Sequence, residues 1–556
     1  MAKIKRKNYI AWIYYKIKRR LPAIIFMSVM NMAVSYANIR FALTTKSVIN
    51  SAIEGDLQEL KLFALILTGL SLFRLLGNTL GQFLSVNIHE NLERDFKRSI
   101  LHTILHSDYS EISQHHSGDL IQRMDADAGT VISGIMDLSA SLPATVTGLL
   151  AAVAALLAIA PGFTVMCGAI MLLMAASSLL LRRPLKRLSK DSSAANGRVK
   201  GHLHESISKL MLIQALDMAE EMQKRTDQVL DERWSVRKKW RNLSILSRLG
   251  SNMVSYLSYL ITMLWCAGAL FSGRITYGDV TAITSLVMTV RNSATSLPYL
   301  IPRFISITAA CDRIMELEEL PQQPVPEAGA IRKIYDTMTG FTATDLCFSY
   351  DREPIMRNVS LTIPRGGLTV IVGPSGIGKS TLLKLLLGLY RPDSGSLVID
   401  TPDGAIPVDR GTRALFCYAP QGNFLLSGTL RENLIYTNPH ATDEQIRKAL
   451  YVSCMDEYVA SLPEGLETVL LENGAGLSEG QAQRISLARA ILSEAPVLLL
   501  DEVTSALDAV TEKIVLERIC ALPDKTCIAV THRPAALKLA DRIIEVSEEG
   551  MTITEW

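Results

Sequence analysis

The chain has 556 residues, enough for more than one domain. Its 57 basic and 55 acidic residues nearly cancel to +2, so net charge names no partner, and no nucleic acid is expected. A mean hydropathy of +0.22 with few charged residues excludes a wholly soluble protein, because the apolar residues gather in long runs before residue 311.

Residues 1–20 carry eight Lys or Arg and no acid, directly ahead of an apolar stretch at 21–39. This reads as a retained first span whose basic N-terminus stays in the cytoplasm. A second span is predicted at 62–88, broken only by Arg74. From Leu138 to Leu181 no residue is charged, which is too long for one crossing, and Pro161-Gly162 divides it into spans three and four. Spans five and six are predicted at 249–273 and 280–311, the last carrying Arg291 and Arg303. The segments 89–137 and 182–248 are long, polar and rich in Lys and Arg, so they are placed in the cytoplasm. Eight cysteines without a CxxC pair predict neither disulfides nor a zinc site. His102, His106, His115 and His116 lack an HExxH pattern and read as solvated helix histidines.

A Pro-rich linker is expected at 316–340. Beyond it, short β-branched strands alternate with helices, the pattern of an α/β nucleotide-binding domain. The predicted division is therefore 1–315, 316–340 and 341–556. In "LTVIVGPSGIGKST" (368–381) a strand runs into a glycine loop and a helix, the context that the GxxxxGK[ST] phosphate loop requires. Gly373, Gly376 and Gly378 let backbone amides turn toward phosphates; Lys379 supplies charge and Ser380 an oxygen for Mg²⁺. "PVLLLDE" (496–502) is a buried strand ending in two carboxylates: Asp501 suits the Mg²⁺ shell, and Glu502 suits orienting a water for attack on a γ-phosphate. "AGLSEGQAQRISLARA" (475–490) offers a second phosphate-binding corner, where Ser478 and Gly480 meet a helix N-terminus.

The order "GPSGIGKST", "LSEGQ", "LLLDEVTSALD" resembles the ATP-binding cassette (ABC) transporters, specifically exporter-type half-transporters, over essentially the whole chain. The resemblance implies an all-α six-helix transmembrane domain followed by an α/β P-loop ATPase domain of ABC type, with ATP and Mg²⁺. It makes Gly373, Pro374, Ser375, Gly376, Ile377, Gly378, Lys379, Ser380 and Thr381 the loop that holds ATP. Tyr350, in "LCFSY", resembles the aromatic that stacks on adenine. Gln421, in "YAPQ", resembles the glutamine that senses Mg²⁺ and the attacking water. His532, in "AVTHRP", resembles the γ-phosphate histidine, and "TSALD" (504–508) the loop through which two sites communicate. The resemblance assigns the signature positions Ser478, Gly480 and Gln481 to the ATP of a second subunit, in a head-to-tail dimer.

Glu479 stands where the family usually has glycine, and a carboxylate near a γ-phosphate is unfavourable unless it points away. "HHSGDLIQRMDADAG" (115–129) and "ESISKLMLIQAL" (205–216) resemble intracellular segments that press on nucleotide domains. The implied function is ATP-driven export of drugs, peptides or lipids across a bacterial cell membrane. An exporter-fold importer of a siderophore-like substrate stays open, as does a non-transport ABC ATPase, against which the spans speak. No peptidase domain precedes the first span, which weighs against a leader-cleaving peptide exporter. A homodimer is favoured over a heterodimer. Arg40, Arg74 and Arg291 lie within or beside spans, where an arginine costs about 2.5–3.5 kcal/mol and lines a cavity or pairs.

Overall fold

The computed structural model describes residues 8–297, 300–322, 330–350, 353–422, 424–471, 476–547 and 550–555; side chains of 169–183, 251, 301, 330, 547 and 550–555 lie outside the description. The chain forms two compact units, Met1–Leu101 with Gly118–Glu318, and His102–Ser117 with Glu319–Trp556.

The first unit is helical. Its elements are α1 (Tyr9–Ile17), α2 (Leu21–Glu54), α3 (Leu57–His106, ending in the second unit), then, past α4 (Tyr109–Ile112) of the second unit, a helical run α5 (Ser117–Ile159). There follow α6 (Pro161–Ser208), α7 (Leu210–Ala215), α8 (Ala219–Phe271), α9 (Tyr277–Ser296) and α10 (Leu300–Glu318). Local chemistry sets the breaks. Gly55 takes a left-handed conformation (φ 79°) that closes α2, and the Asp56 carboxylate accepts from the amides of Gln58 and Glu59 to start α3. Between α5 and α6, Ala160 leaves helical geometry and Pro161 opens the next helix, since a ring without N–H is tolerated there. A reciprocal Thr276–Asp279 capping box starts α9.

Among the described residues four helices are long and apolar enough to cross a membrane: α2, α3, α5 and α8. They carry predicted spans one, two, three and five. The fourth predicted span falls on α6, partly in side chains outside the description, and the sixth is carried by α9 and α10. A core of Ile39, Leu156, Phe163, Cys266 and Leu286 joins α2, α5, α6, α8 and α9. Two π-turns, Arg123–Asp127 and Asp137–Ser141, interrupt α5. Beside them α10 supplies partners: Arg313 forks onto buried Asp127 (2.6 and 2.7 Å), Glu316 accepts from Arg123 (2.8 Å), and Arg303 pairs with Asp137 (3.1 Å). Arg303, predicted inside the sixth span, is thus neutralised.

In the second unit α11 (Ala330–Thr337) precedes two sheets and a two-stranded ribbon of β7 (Gly428–Thr429) with β8 (Val469–Leu470). The first is antiparallel, in the order β2 (Glu353–Pro364), β1 (Gly340–Tyr350), β4 (Ser394–Thr401), β5 (Gly404–Pro407). The second runs β12 (Gly550–Glu555), β11 (Arg542–Ser547), β3 (Gly367–Val372), β10 (Thr526–Val530), β9 (Val497–Asp501), β6 (Phe416–Ala419), all parallel except edge strand β12. Strands β9 and β10 are buried at every residue, which is why they read as unbroken apolar runs. In register, Val530 lies beside both Ile371 and Asp501, so the loops after β3, β9 and β10 leave one edge of the sheet. Ligand sites of open parallel sheets form at such carboxyl ends. Helix α12 (Lys379–Leu386) follows β3. A separate helical layer, α13 (Leu430–Ile435), α14 (Asp443–Val452), α15 (Asp456–Ser461) and α16 (Glu479–Leu492), packs around Leu430, Ile446, Met455 and Ile485. Helices α17 (Ala509–Cys520) and α18 (Pro534–Leu539) flank the strands β9 and β10.

Candidate ATP site

The loop between β3 and α12 turns on three glycines with positive φ: Gly373 (150°), Gly376 (84°) and Gly378 (105°). A Cβ on Gly373 would collide with the Val546 carbonyl oxygen, so no side chain fits there. Pro374, Ser375 and Gly376 stand exposed at the loop tip, while Ile377 packs onto the core and anchors the turn. Lys379 is buried, and its Nζ donates to the carbonyls of Gly373 and Pro374, both at 2.8 Å, which holds the ammonium within the loop.

Ser380, next in α12, donates its hydroxyl to Asp501 Oδ1 (2.9 Å). The phenol of Tyr418, on β6, donates to the other carboxylate oxygen (2.8 Å). Asp501 is buried, and among the described residues no Lys or Arg pairs with it within 4 Å. A buried carboxylate with only neutral donors and an adjoining hydroxyl is a hard oxygen set suited to Mg²⁺. Burial and then the Asp501 charge push the Tyr418 phenol far above its ordinary range, so it stays a donor.

Glu502 follows Asp501 in a left-handed conformation (φ 51°), strained for a residue with a side chain, with its amide bonded to the Val530 carbonyl (3.0 Å). Gln421 Nε2 donates to Glu502 Oε2 (2.6 Å), and His532 Nε2 stands 3.2 Å from Glu502 Oε1. Gln421 and His532, from two other loops, therefore converge on the Glu502 carboxylate. Tyr350, at the end of β1, is half-buried, meets Phe348 and Tyr390 edge-on, and has its phenol 3.5 Å from the Thr381 hydroxyl.

The second corner is built differently. Ser478 caps α16 through its hydroxyl, and the Gln481 side chain returns to the Ser478 amide (2.8 Å), a full capping box. Gln481, expected at the nucleotide, is thus engaged within its own helix turn. A Cβ on Gly480 would come to 3.0 Å from the Ala506 carbonyl oxygen, so glycine lets the helix lie against the 504–508 loop. Gln483 ties the two together, donating to Ser505 (3.2 Å) and accepting from the Ala506 amide. Glu479 is exposed at the first helical position. Sequence reasoning missed Tyr418 and Gln483; "YAPQ" contained the first and "LSEGQAQ" the second, but nothing local marks their distant partners.

Comparison with known proteins fits this geometry. The family described as ABC transporter transmembrane region matches residues 23–294, and the one described as ABC transporter matches 356–505. The chain belongs to the ABC transporters. A relative named as an uncharacterized ABC transporter ATP-binding protein, YfiC of Bacillus subtilis, is 27% identical over 79% of this chain and 72% of its own length. The mycobactin import ATP-binding/permease protein IrtB of Mycobacterium tuberculosis is 34% identical over 55% of this chain, and the match spans only 53% of that relative. A putative multidrug export protein of B. subtilis, YgaD, is 33% identical over 66% of this chain and 64% of its own length. Among solved structures, a bacterial Atm1-family ABC exporter with ATP bound superposes at TM-score 0.79, covering 96% of this chain and 94% of its own at 20% identity. The ABC transporter thus has the exporter fold.

Proposed function

We propose that the chain is an ATP-hydrolysing half-transporter of the cell membrane, which moves a substrate outward by alternating access. The domain division follows: residues 1–315 span the membrane six times, 316–340 link, and 341–556 bind ATP, with the N-terminus and ATPase in the cytoplasm. The observation that carries the reading is Glu502 between Gln421 and His532, beside buried Asp501. Glu502 accepts a hydrogen bond from the attacking water and orients it; Gln421 and His532 hold the carboxylate from both flanks. Lys379 and the loop 373–381 cradle the phosphates, and Tyr350 supports the adenine. Ser380, Asp501 and Gln421 would hold Mg²⁺, which would supply positive charge against the phosphates. Ser478, Gly480 and Gln481 complete the site of a second subunit, and the intact set Lys379, Gln421, Glu502 and His532 favours a homodimer.

Inward transport is the second reading, supported by the likeness to IrtB, whose name records mycobactin import. The test of the main reading is ATP hydrolysis by this chain alone in lipid nanodiscs, beside Glu502→Gln. Turnover should fall by orders of magnitude in the variant. A well-folded wild type without activity overturns the single-chain dimer, and activity that survives Glu502→Gln overturns the assignment of the base.

A further inference from the structure

The helical unit treats its charges in two ways. Lys46 pairs with Asp279 at 2.7 Å and Arg303 with Asp137 at 3.1 Å, so these charges are locally balanced. Arg40, Arg74 and Arg291 are not: among the described residues none has a carboxylate within 4 Å. Arg74 lays its guanidinium 4.4 Å from the Phe41 ring centroid, and its Nε is buried with no acceptor among the described residues. Arg40 is exposed and Arg291 half-buried.

Along the helix axes the three lie within about 11 Å of one another. A Cβ on Gly148 would meet Ser35 Oγ (2.6 Å) and Thr289 Cγ2 (3.9 Å), which puts Ser35 of α2 beside Thr289 of α9. The Gly278 amide donates to Asn50 (3.0 Å), so α2 and α9 run antiparallel. At about 1.5 Å per residue, Arg40 lies roughly 8 Å to one side of the Ser35 level and Arg291 roughly 3 Å to the other. Arg74 reaches α2 at Phe41, one residue from Arg40. Arg74 lies midway along predicted span two, and its contact with Phe41 on α2, which runs on to Glu54, puts that level past the predicted end of span one at residue 39.

Unpaired arginines facing lipid are strongly disfavoured, which favours a water-filled path beside them. A guanidinium presents a planar fork that matches carboxylate and phosphate oxygens, and three of them without an acid need an anion. Phe41 beneath Arg74 and exposed Tyr36, one turn from Arg40, add apolar surface. We propose that Arg40, Arg74 and Arg291 form the binding site for the transported substrate, and that this substrate is an organic anion carrying a carboxylate or phosphate on an apolar tail. The proposal rests on the transporter reading above and names its substrate class.

The test uses the full chain in zwitterionic phosphatidylcholine nanodiscs, titrated with radiolabelled dodecanoate, dodecyl phosphate or dodecyltrimethylammonium. The two anions should saturate a site on the protein and the cation should not. Arg40→Gln, Arg74→Gln and Arg291→Gln should each raise the half-saturating anion concentration about tenfold, whereas Arg74→Lys, which keeps the charge, should raise it less. Equal binding of anion and cation, or unchanged anion affinity in Arg40→Gln and Arg291→Gln, overturns the site. These two variants decide the matter if Arg74→Gln does not yield monodisperse protein, since neither Arg40 nor Arg291 is fully buried. Adding phosphatidylglycerol to the discs assigns the source: competition with dodecanoate identifies a lipid headgroup, and none identifies a free amphiphile. ATP hydrolysis in the same discs separates the two levels. Hydrolysis lost in Glu502→Gln without selective anion binding overturns the site alone; absence of hydrolysis overturns the reading beneath it.

Discussion

Glu479 shows how two electrostatic demands meet on one side chain. At the first position of α16 a carboxylate complements the positive helix end, worth about 0.3–1 kcal/mol where exposed. The same helix end is the corner assigned to a partner's triphosphate, where a carboxylate repels. The side chain is exposed, so solvent and salt screen both effects, and neither dominates the fold. For ATP the repulsion should decide, because the triphosphate brings several negative charges to a group that stabilises the helix only locally. Glu479→Gly is therefore expected to lower the KM for ATP about threefold or more, with a smaller salt dependence of KM and a slightly lower thermal midpoint. An unchanged KM across ionic strengths would mean that the carboxylate points away from the nucleotide.

At the scale of elements, residues 102–117 belong to the ATPase unit although the chain enters them from the long helix α3. The Asp108 amide donates to the Pro321 carbonyl (3.0 Å), and Arg410 donates to the His106 carbonyl (2.7 Å). Tyr109 meets Tyr390 edge-on at 5.6 Å, and Tyr390 meets Tyr350 at 5.2 Å. An aromatic relay thus runs from the membrane-linked segment to the residue expected under adenine. Each such ring contact is worth about 0.5–1.5 kcal/mol, so Tyr109→Ala should raise the KM for ATP about two- to tenfold at unchanged saturated turnover. An unaltered KM in steady-state hydrolysis would sever the relay from nucleotide binding. The loop at 373–381 and the strand ending at Asp501 are legible in the sequence because strand, glycine turn and helix follow one another locally, and because a strand covered on both faces has to be apolar throughout. Tyr418 is not, since its Asp501 partner lies 83 residues away. Residues 102–117 join the ATPase unit, although nothing in their composition sets them apart from the helix that precedes them.

At the scale of the whole molecule, the proposed division of each site between two chains has a consequence that a self-sufficient ATPase would not show. One half of the site is the loop around Lys379, built on the strand edge beside Asp501 and Glu502. The other half is the Ser478 corner, held against the 504–508 loop by Gln483. Lys379→Ala disables the first half and Ser478→Arg the second, so either variant alone should be inactive in nanodiscs. Coexpressed, they assemble at random, and half of the dimers pair one variant with the other. In such a dimer the intact loop of the Ser478→Arg chain faces the intact corner of the Lys379→Ala chain, while the opposite site carries both lesions. One site in two then works in half of the dimers, so hydrolysis should recover to at most about a quarter of the wild-type rate. Recovery on coexpression, but not on mixing separately assembled dimers, is the expected pattern. Two inactive variants that stay inactive together, beside an active wild type, would mean that each chain completes its own site, and the head-to-tail homodimer would be withdrawn.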